Sequence, residues 1–186
     1  LEKICHHFHL SLQSGCDDTL KRMNRIYTTE EFRNIVDILR KNYDDVILTT
    51  DIIVGFPGET EEEFNKTYEF LKEIKFYKMH VFKYSPRKGT KAAQMKCQID
   101  GNEKERRSKI LIELSEENQK RYNQKYIDSE IEVLFEERDE KDNKYIKGHS
   151  KNYIMVYCET SENVENKTAM VHITGVRDDY LLGKIV

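Results

Sequence analysis

The residues of this 186-residue chain that could do chemistry gather at a few places. Cys5, His7 and His9 alternate, which on a strand would put all three on one face and could in principle hold a metal. Residues of these types on a buried strand more often simply pack. No two of the four cysteines, Cys5, Cys16, Cys97 and Cys158, are two or three residues apart, so zinc and iron–sulfur spacings are both missing. The stretch "VGFPGET" (54–60) sets Gly55 and Gly58 behind an apolar run. A Walker loop would need a Lys-Ser/Thr pair and a Rossmann turn three spaced glycines, and neither is there. Two glycines do let bare backbone approach a flat ligand, and they could equally serve a tight turn and nothing else. Polar and aromatic groups stand in two further places: Ser11, Gln13 and Ser14 in "SLQSG", and Phe82 and Tyr84 in "FKYSPR".

The elements that must position these groups follow from periodicity. "FHLSLQSG" (8–15) alternates and reads as a short strand, and "DDTLKRMNR" (17–25) as a short helix with an acidic start. In 28–43, Thr28 and Glu31 form a capping box ahead of an apolar stripe of Phe32, Ile35, Val36 and Leu39, which predicts a helix. "DVILTTDIIVG" (45–55) is β-branched almost throughout, as in a strand buried on both faces of a parallel sheet. Thr60 and Glu63 start a second helix with Phe64, Thr67, Tyr68, Leu71 and Ile74 on one face, and "YKMHVFKYS" (77–85) reads as a third strand before a loop. Strands alternating with helices imply right-handed βαβ units, whose ligands sit at the C-terminal strand ends. All three polar and aromatic groups fall at those ends, so together they make one rim suited to a small molecule.

Residues 101–126 read as a charged helix with a narrow seam of Ile110, Leu111, Leu114 and Tyr122, able to pack on the sheet or to bridge domains. After 127 five short alternating segments follow, separated by polar turns, and they predict a small antiparallel barrel of the OB type. The composition break divides the chain into 1–126 and 127–186. The first part carries 23 Lys+Arg against 21 Asp+Glu, the second 8 against 13, and the whole chain is −3, so bulk charge announces no nucleic-acid partner. No stretch approaches the roughly 18 apolar residues of a membrane helix, so no membrane partner is expected. Cysteine usage suits reduced thiols and a cytoplasmic setting. The chain starts without Met and runs directly into an apolar segment, and we expect it to be cut from a longer protein.

"HLSLQSGCDDTLKRMNRIYT", "DIIVGFPGETEEEF" and "HVFKYSPRKGTKAA" resemble three successive blocks of the methylthiotransferase family of radical S-adenosylmethionine enzymes, and the terminal barrel resembles the TRAM domain that ends those proteins. "HVFKYSPR" and the cysteine of "QSGC" are most similar to the branch acting on N6-threonylcarbamoyladenosine in tRNA; the isopentenyladenosine branch and the ribosomal-protein S12 branch stay open. The resemblance implies the C-terminal part of a partial TIM-like α/β barrel followed by an OB-like β-barrel. It implies S-adenosylmethionine and 4Fe-4S clusters in the full-length protein, an electron donor, and the addition of a methylthio group to C2 of the modified adenosine beside the anticodon. It places Ser11 and Gln13 near the ribose and methionine end of the cofactor, Asp51, Gly55 and Phe56 near the adenosine, and Phe82 and Tyr84 near the adenine. Asp51 stands where the wider family often has Gly, which weakens the case for backbone contact there. No residue is assigned as general acid, base or nucleophile.

For the tRNA anticodon arm, Lys21, Arg22 and Arg25 form one basic cluster and Lys83, Arg87, Lys88 and Lys91 another, suited to phosphates; the alternative for each is solvated surface. Lys147, Lys151 and Lys167 would give the acidic barrel a local basic edge, and Tyr145, Tyr153 and Tyr157 could stack on bases. By the resemblance the chain starts at the fourth strand of the family's barrel, which leaves a strand edge open to pairing and leads us to expect some self-association. It also lacks the Cys-x3-Cys-x2-Cys loop. We expect the isolated chain to be inactive and to take up no 4Fe-4S cluster; stoichiometric iron and sulfide after anaerobic reconstitution would overturn this.

Overall fold

The structure, a computed structural model, describes residues 4–140, 142–177 and 179–186. It is mixed α/β and divides into two compact units, one of Phe8–Asp44 and Leu48–Asn118, the other of Leu1–His7, Asp45–Ile47 and Gln119–Val186.

The first unit is built on a three-stranded sheet of β1 (His7–His9), β2 (Ile47–Val54) and β3 (Lys78–Lys83), with β2 in the middle. β2 and β3 run parallel, Thr49 opposite Lys78 and Val54 opposite Lys83. The β-branched run of β2 is buried at every position except Asp51 and Ile53, as expected of a strand covered on both faces. α2 (Thr29–Asn42) and α3 (Glu61–Ile74) begin with the two capping boxes, Thr28 with Glu31 and Thr60 with Glu63. Each box satisfies two orphan backbone donors reciprocally. α3 buries Phe64, Thr67, Phe70, Leu71 and Ile74.

Three elements differ from their sequence expectations. The first strand is only three residues long because the Thr50 hydroxyl inserts into the ladder: Leu12 N–H donates to Thr50 Oγ1 at 3.1 Å, and that hydroxyl donates to the Leu10 carbonyl at 2.6 Å. Pairing resumes as a single parallel bridge at Gln13 and Ile52, where Gln13 is left-handed at φ 71°. α1 (Asp17–Arg22) stops three residues early. Asn24 adopts φ 60°, its N–H meets the Lys21 carbonyl, and the Arg25 N–H meets the Leu20 carbonyl. This is a Schellman close with Asn in the left-handed position. On α2 the buried positions are Phe32 and Val36, while Ile35 is 46% exposed, so the apolar stripe is narrower than its sequence suggests.

After β3 the expected loop contains one helical turn, α4 (Lys91–Gln94), capped by Thr90. The charged segment forms α5 (Gly101–Asn123) and ends in a 3-10 turn, Gln124–Tyr126. Within the first unit α5 buries Leu111 and Leu114, and its Ser115 hydroxyl accepts the Met79 N–H of β3 at 2.8 Å.

The second unit holds all five expected strands: β4 (Glu130–Arg138), β5 (Tyr145–Ser150), β6 (Met155–Glu159), β7 (Thr168–Arg177) and β8 (Tyr180–Ile185). They close into a barrel in the order β4-β5-β6-β8-β7. The pairings are antiparallel except β6 with β8, which run parallel; the expectation of a wholly antiparallel barrel is corrected at that seam. Val133, Phe135, Ile146, Val156, Cys158, Val171, Ile173 and Leu181 fill the interior. On the outside, Lys151 pairs with Glu132, His149 with Glu136 and Lys147 with Glu137. Asp45, left-handed at φ 53°, is a hub of this unit: its carboxylate accepts from the hydroxyls of Tyr122 and Tyr126 and from Asn152 Nδ2. Burial and the Asp45 carboxylate push both tyrosines well above the usual phenol range.

Gly148 is where two strands come closest. A Cβ there would lie 2.1 Å from the Leu134 carbonyl oxygen of β4, a contact only backbone movement can relieve. Gly148→Ala is expected to destabilise the barrel by about 1–3 kcal/mol, the usual cost of overpacking, read by urea unfolding.

Candidate functional site: a cleft at the strand ends

At the C-terminal ends of β2 and β3 lies an open cleft of about 580 Å³, lined by Gln13, Asp51, Ile53, Phe82 and Tyr84 and, from the following segment, Ser85, Arg87 and Thr90. Its volume falls in the range of small-molecule sites. The two positions of β2 that are not buried, Asp51 and Ile53, both line it. Phe82 and Lys83 at the end of β3 and Tyr84 just after it all line the cleft, so the expected alternation is lost at Lys83, while Met79 is buried.

The polar floor is organised around Asp51. Its Oδ2 accepts from Ser11 Oγ at 3.2 Å and pairs with His9 Nε2 at 3.1 Å, while His9 Nδ1 stands 3.0 Å from Thr49 Oγ1. Of the three candidate metal ligands at the start of the chain, His9 is thus engaged by Asp51 and Thr49, His7 stacks its ring on Tyr153 at 5.1 Å, and Cys5 is an exposed thiol. Among the described residues, the one group of three ligating atoms within 4.8 Å is Cys16, Asp18 and Glu63. Glu63 is already held by both terminal nitrogens of Arg22, at 2.8 and 2.5 Å, and this pairing holds its carboxyl below the usual range. No group of cysteines fit for a cluster occurs among the described residues.

The residues singled out in sequence divide as follows. Gln13, Asp51, Phe82, Lys83 and Tyr84 line the cleft, and Ser11 reaches it through Asp51. Gly55 and Phe56 stand behind the wall: Phe56 is buried and sets its ring against that of Tyr84 at 5.2 Å. Of the basic residues, Arg22 is bound to Glu63, Lys83 to Glu105, Lys147 to Glu137 and Lys151 to Glu132. Lys21, Arg25, Arg87, Lys88 and Lys91 are exposed and make no ion pair among the described residues, and Arg87 borders the cleft. In the barrel, Tyr153 lies between His7 and His149, the latter at 4.3 Å and nearly parallel, and Tyr157 meets Tyr180 at 4.3 Å.

Sequence reading missed the groups behind the wall. Glu59, 2% exposed, accepts the Gly55 N–H at 2.6 Å and the Arg107 guanidinium at 2.8 Å. Lys104 lies against Gly55 and carries its ammonium 5.4 Å over the Tyr84 ring. The only signal in the sequence is a carboxylate within "GFPGET" and a pair of arginines in a helix rich in charge. The Tyr84 hydroxyl is itself buried without a hydrogen-bond partner. A buried unpaired hydroxyl costs about 1–3 kcal/mol. Tyr84→Phe is therefore expected to leave the melting temperature unchanged or to raise it, and a clear fall would show that this hydroxyl has a partner.

Residues 1–71 match the model of the radical SAM superfamily. The chain is 42% identical over 188 residues to the threonylcarbamoyladenosine tRNA methylthiotransferase MtaB of Bacillus subtilis, covering 100% of this chain and 42% of that protein. It is 44% identical over 185 residues to a probable threonylcarbamoyladenosine tRNA methylthiotransferase of Methanocaldococcus jannaschii, covering 100% and 41%. To a tRNA-2-methylthio-N(6)-dimethylallyladenosine synthase of Caldicellulosiruptor saccharolyticus it is 38% identical over 186 residues, covering 100% and 39%. The chain thus spans about two fifths of the length of these relatives. Along its whole length it resembles the methylthiotransferase family of radical S-adenosylmethionine enzymes.

Proposed function

We propose that this chain is the C-terminal part of a tRNA methylthiotransferase that adds a methylthio group to C2 of N6-threonylcarbamoyladenosine next to the anticodon. The observation that carries the reading is similarity over the full 100% of the chain at 42% and 44% identity to two proteins named for that substrate, against 38% and 37% over the full chain and 41% over 80% of it for three dimethylallyladenosine synthases.

S-adenosylmethionine fits the cleft on three counts. The volume of about 580 Å³ suits a nucleoside with a side chain. Asp51, with Ser11 and His9 on one of its oxygens, presents a fixed carboxylate for ribose hydroxyls or an ammonium group. Phe82 and Tyr84 offer ring faces to a base, and the Tyr84 hydroxyl lacks a partner. When bound, this cofactor supplies one-electron activation of a C–H bond and methyl donation. The chain's own residues hold and orient it: Gln13 and Asp51 at the polar end, the aromatic pair at the base, and Gly55 and Phe56 as support from behind. Among the described residues the four cysteines do not come together as ligands for a 4Fe-4S cluster.

The same reading makes 127–186 a TRAM-like, OB-like RNA-binding barrel, in keeping with its five strands and the order β4-β5-β6-β8-β7. The exposed cations Lys21, Arg25, Arg87, Lys88 and Lys91 then serve anticodon-arm phosphates most readily, while Arg22, Lys83, Lys147 and Lys151 must leave a carboxylate to do so. No helix among the described residues is long and apolar enough to cross a membrane; the cytoplasmic setting and the separate electron donor of this reading rest on the family resemblance alone. Among the described residues β1 stands at the edge of its sheet, which supports self-association of the isolated chain.

Methylthio-nucleoside analysis of tRNA from cells lacking the gene tests this. Loss of 2-methylthio-N6-threonylcarbamoyladenosine is expected. Loss of the isopentenyladenosine derivative instead would move the substrate to the neighbouring branch, and unchanged tRNA would sink the tRNA reading in favour of S12 or of a non-catalytic RNA-binding module.

A further inference from the structure

The turn that follows β2 is held by an ion pair that stability alone does not call for. Arg107 of α5 is 4% exposed and Glu59 2%. The guanidinium donates to the Glu59 carboxylate at 2.8 Å and to the Glu59 carbonyl at 3.0 Å, and its Nε donates to Glu103 at 2.6 Å. The other bond of the Glu59 carboxylate goes to the Gly55 N–H at 2.6 Å. Burial pushes the Glu59 carboxyl upward, and Arg107 and the Gly55 amide oppose it. Replacing such a buried pair with apolar residues of similar volume is often neutral or stabilising, so its presence asks for another reason.

That reason is the conformation of the turn. Gly55 and Gly58 both take left-handed angles, φ 70° and 79°. Two glycines so close together leave an unrestrained turn with many accessible conformations. Here the backbone is tied at both: Gly55 through Glu59, and Gly58 by its N–H to the Cys97 carbonyl at 2.7 Å. Between them Phe56 is fixed against Tyr84, and Lys104, one turn of α5 before Arg107, covers both Gly55 and the Tyr84 ring. The chain of contacts runs from a buried cation on α5 through a carboxylate, an amide and a phenyl ring to the cleft wall.

We propose that Glu59 and Arg107 are positioning residues of the cleft: the pair holds the Gly55–Glu59 turn so that Phe56 keeps Tyr84 in place against a bound nucleoside. In its ligand this rests on the reading that the cleft takes S-adenosylmethionine. A set of supporting contacts of this kind is what keeps binding groups within the tolerance that recognition needs.

The test uses the 186-residue chain and two variants: the apolar double substitution Glu59→Leu/Arg107→Met, and Arg107→Lys, which keeps the charge with fewer donors. Two readouts need no ligand, the hydrogen-exchange rate of the Gly55 amide and the Phe56–Tyr84 ring contact by NMR; a third is S-adenosylmethionine affinity by calorimetry. The double variant is expected to stay folded, with the Gly55 amide exchanging about tenfold faster and the ring contact weakened. Its affinity is expected to fall about tenfold. Arg107→Lys is expected to restore part of each. Wild-type exchange and an intact ring contact in the double variant would overturn the proposal, as would its outright unfolding, which would make the pair a stability element. Should the unsubstituted chain fail to bind S-adenosylmethionine, the cofactor reading of this chain fails, while the exchange rate and the ring contact still decide the positioning role.

Discussion

Burial of β2 on both faces is the constraint from which the α/β unit follows. A strand covered above and below can present chemistry only where the cover ends. In β2 those places are Asp51 and Ile53, and everything else that lines the cleft comes from the strand ends beside them or from the segment after β3. The helices that supply the cover are set by their caps. Thr60 starts α3 one residue beyond Glu59, so cap and clamp are adjacent in the chain, and the turn between strand and helix has no slack.

Much of this could be read from residue order because it rests on local rules. The capping boxes at Thr28 and Thr60, the β-branched run of β2, the third strand and the five barrel strands each have a short-range signature, and each is found. What escaped depends on distant neighbours. The first strand is cut short by a hydroxyl on another strand, Thr50. The parallel seam between β6 and β8 arises from barrel closure, which no segment shows alone.

The site divides along the same line. Gln13, Phe82 and Tyr84 could be named because they sit at strand ends and Asp51 through the family resemblance, whereas Arg107 could not. It follows Arg106 in a helix rich in charge, and composition makes the two alike. Yet the Arg106 side chain is 44% exposed and that of Arg107 5%. Only the packing of α5 against the turn tells them apart, and the difference is between a solvated ion pair of little worth and a desolvated one that fixes a backbone.

The outer face of the barrel carries a consequence of its own. Lys147 and Lys151 of the β5 region face Glu137 and Glu132, and His149 faces Glu136, so basic groups on one strand meet acidic ones on the next. A polyanion meeting this face competes with carboxylates already in place, and each lysine it takes leaves a glutamate uncompensated nearby. The net number of phosphates neutralised is then smaller than the number of lysines in contact. Binding there would weaken with added salt along a shallower slope than a count of basic residues implies, and selectivity would have to come from shape and ring stacking rather than from charge.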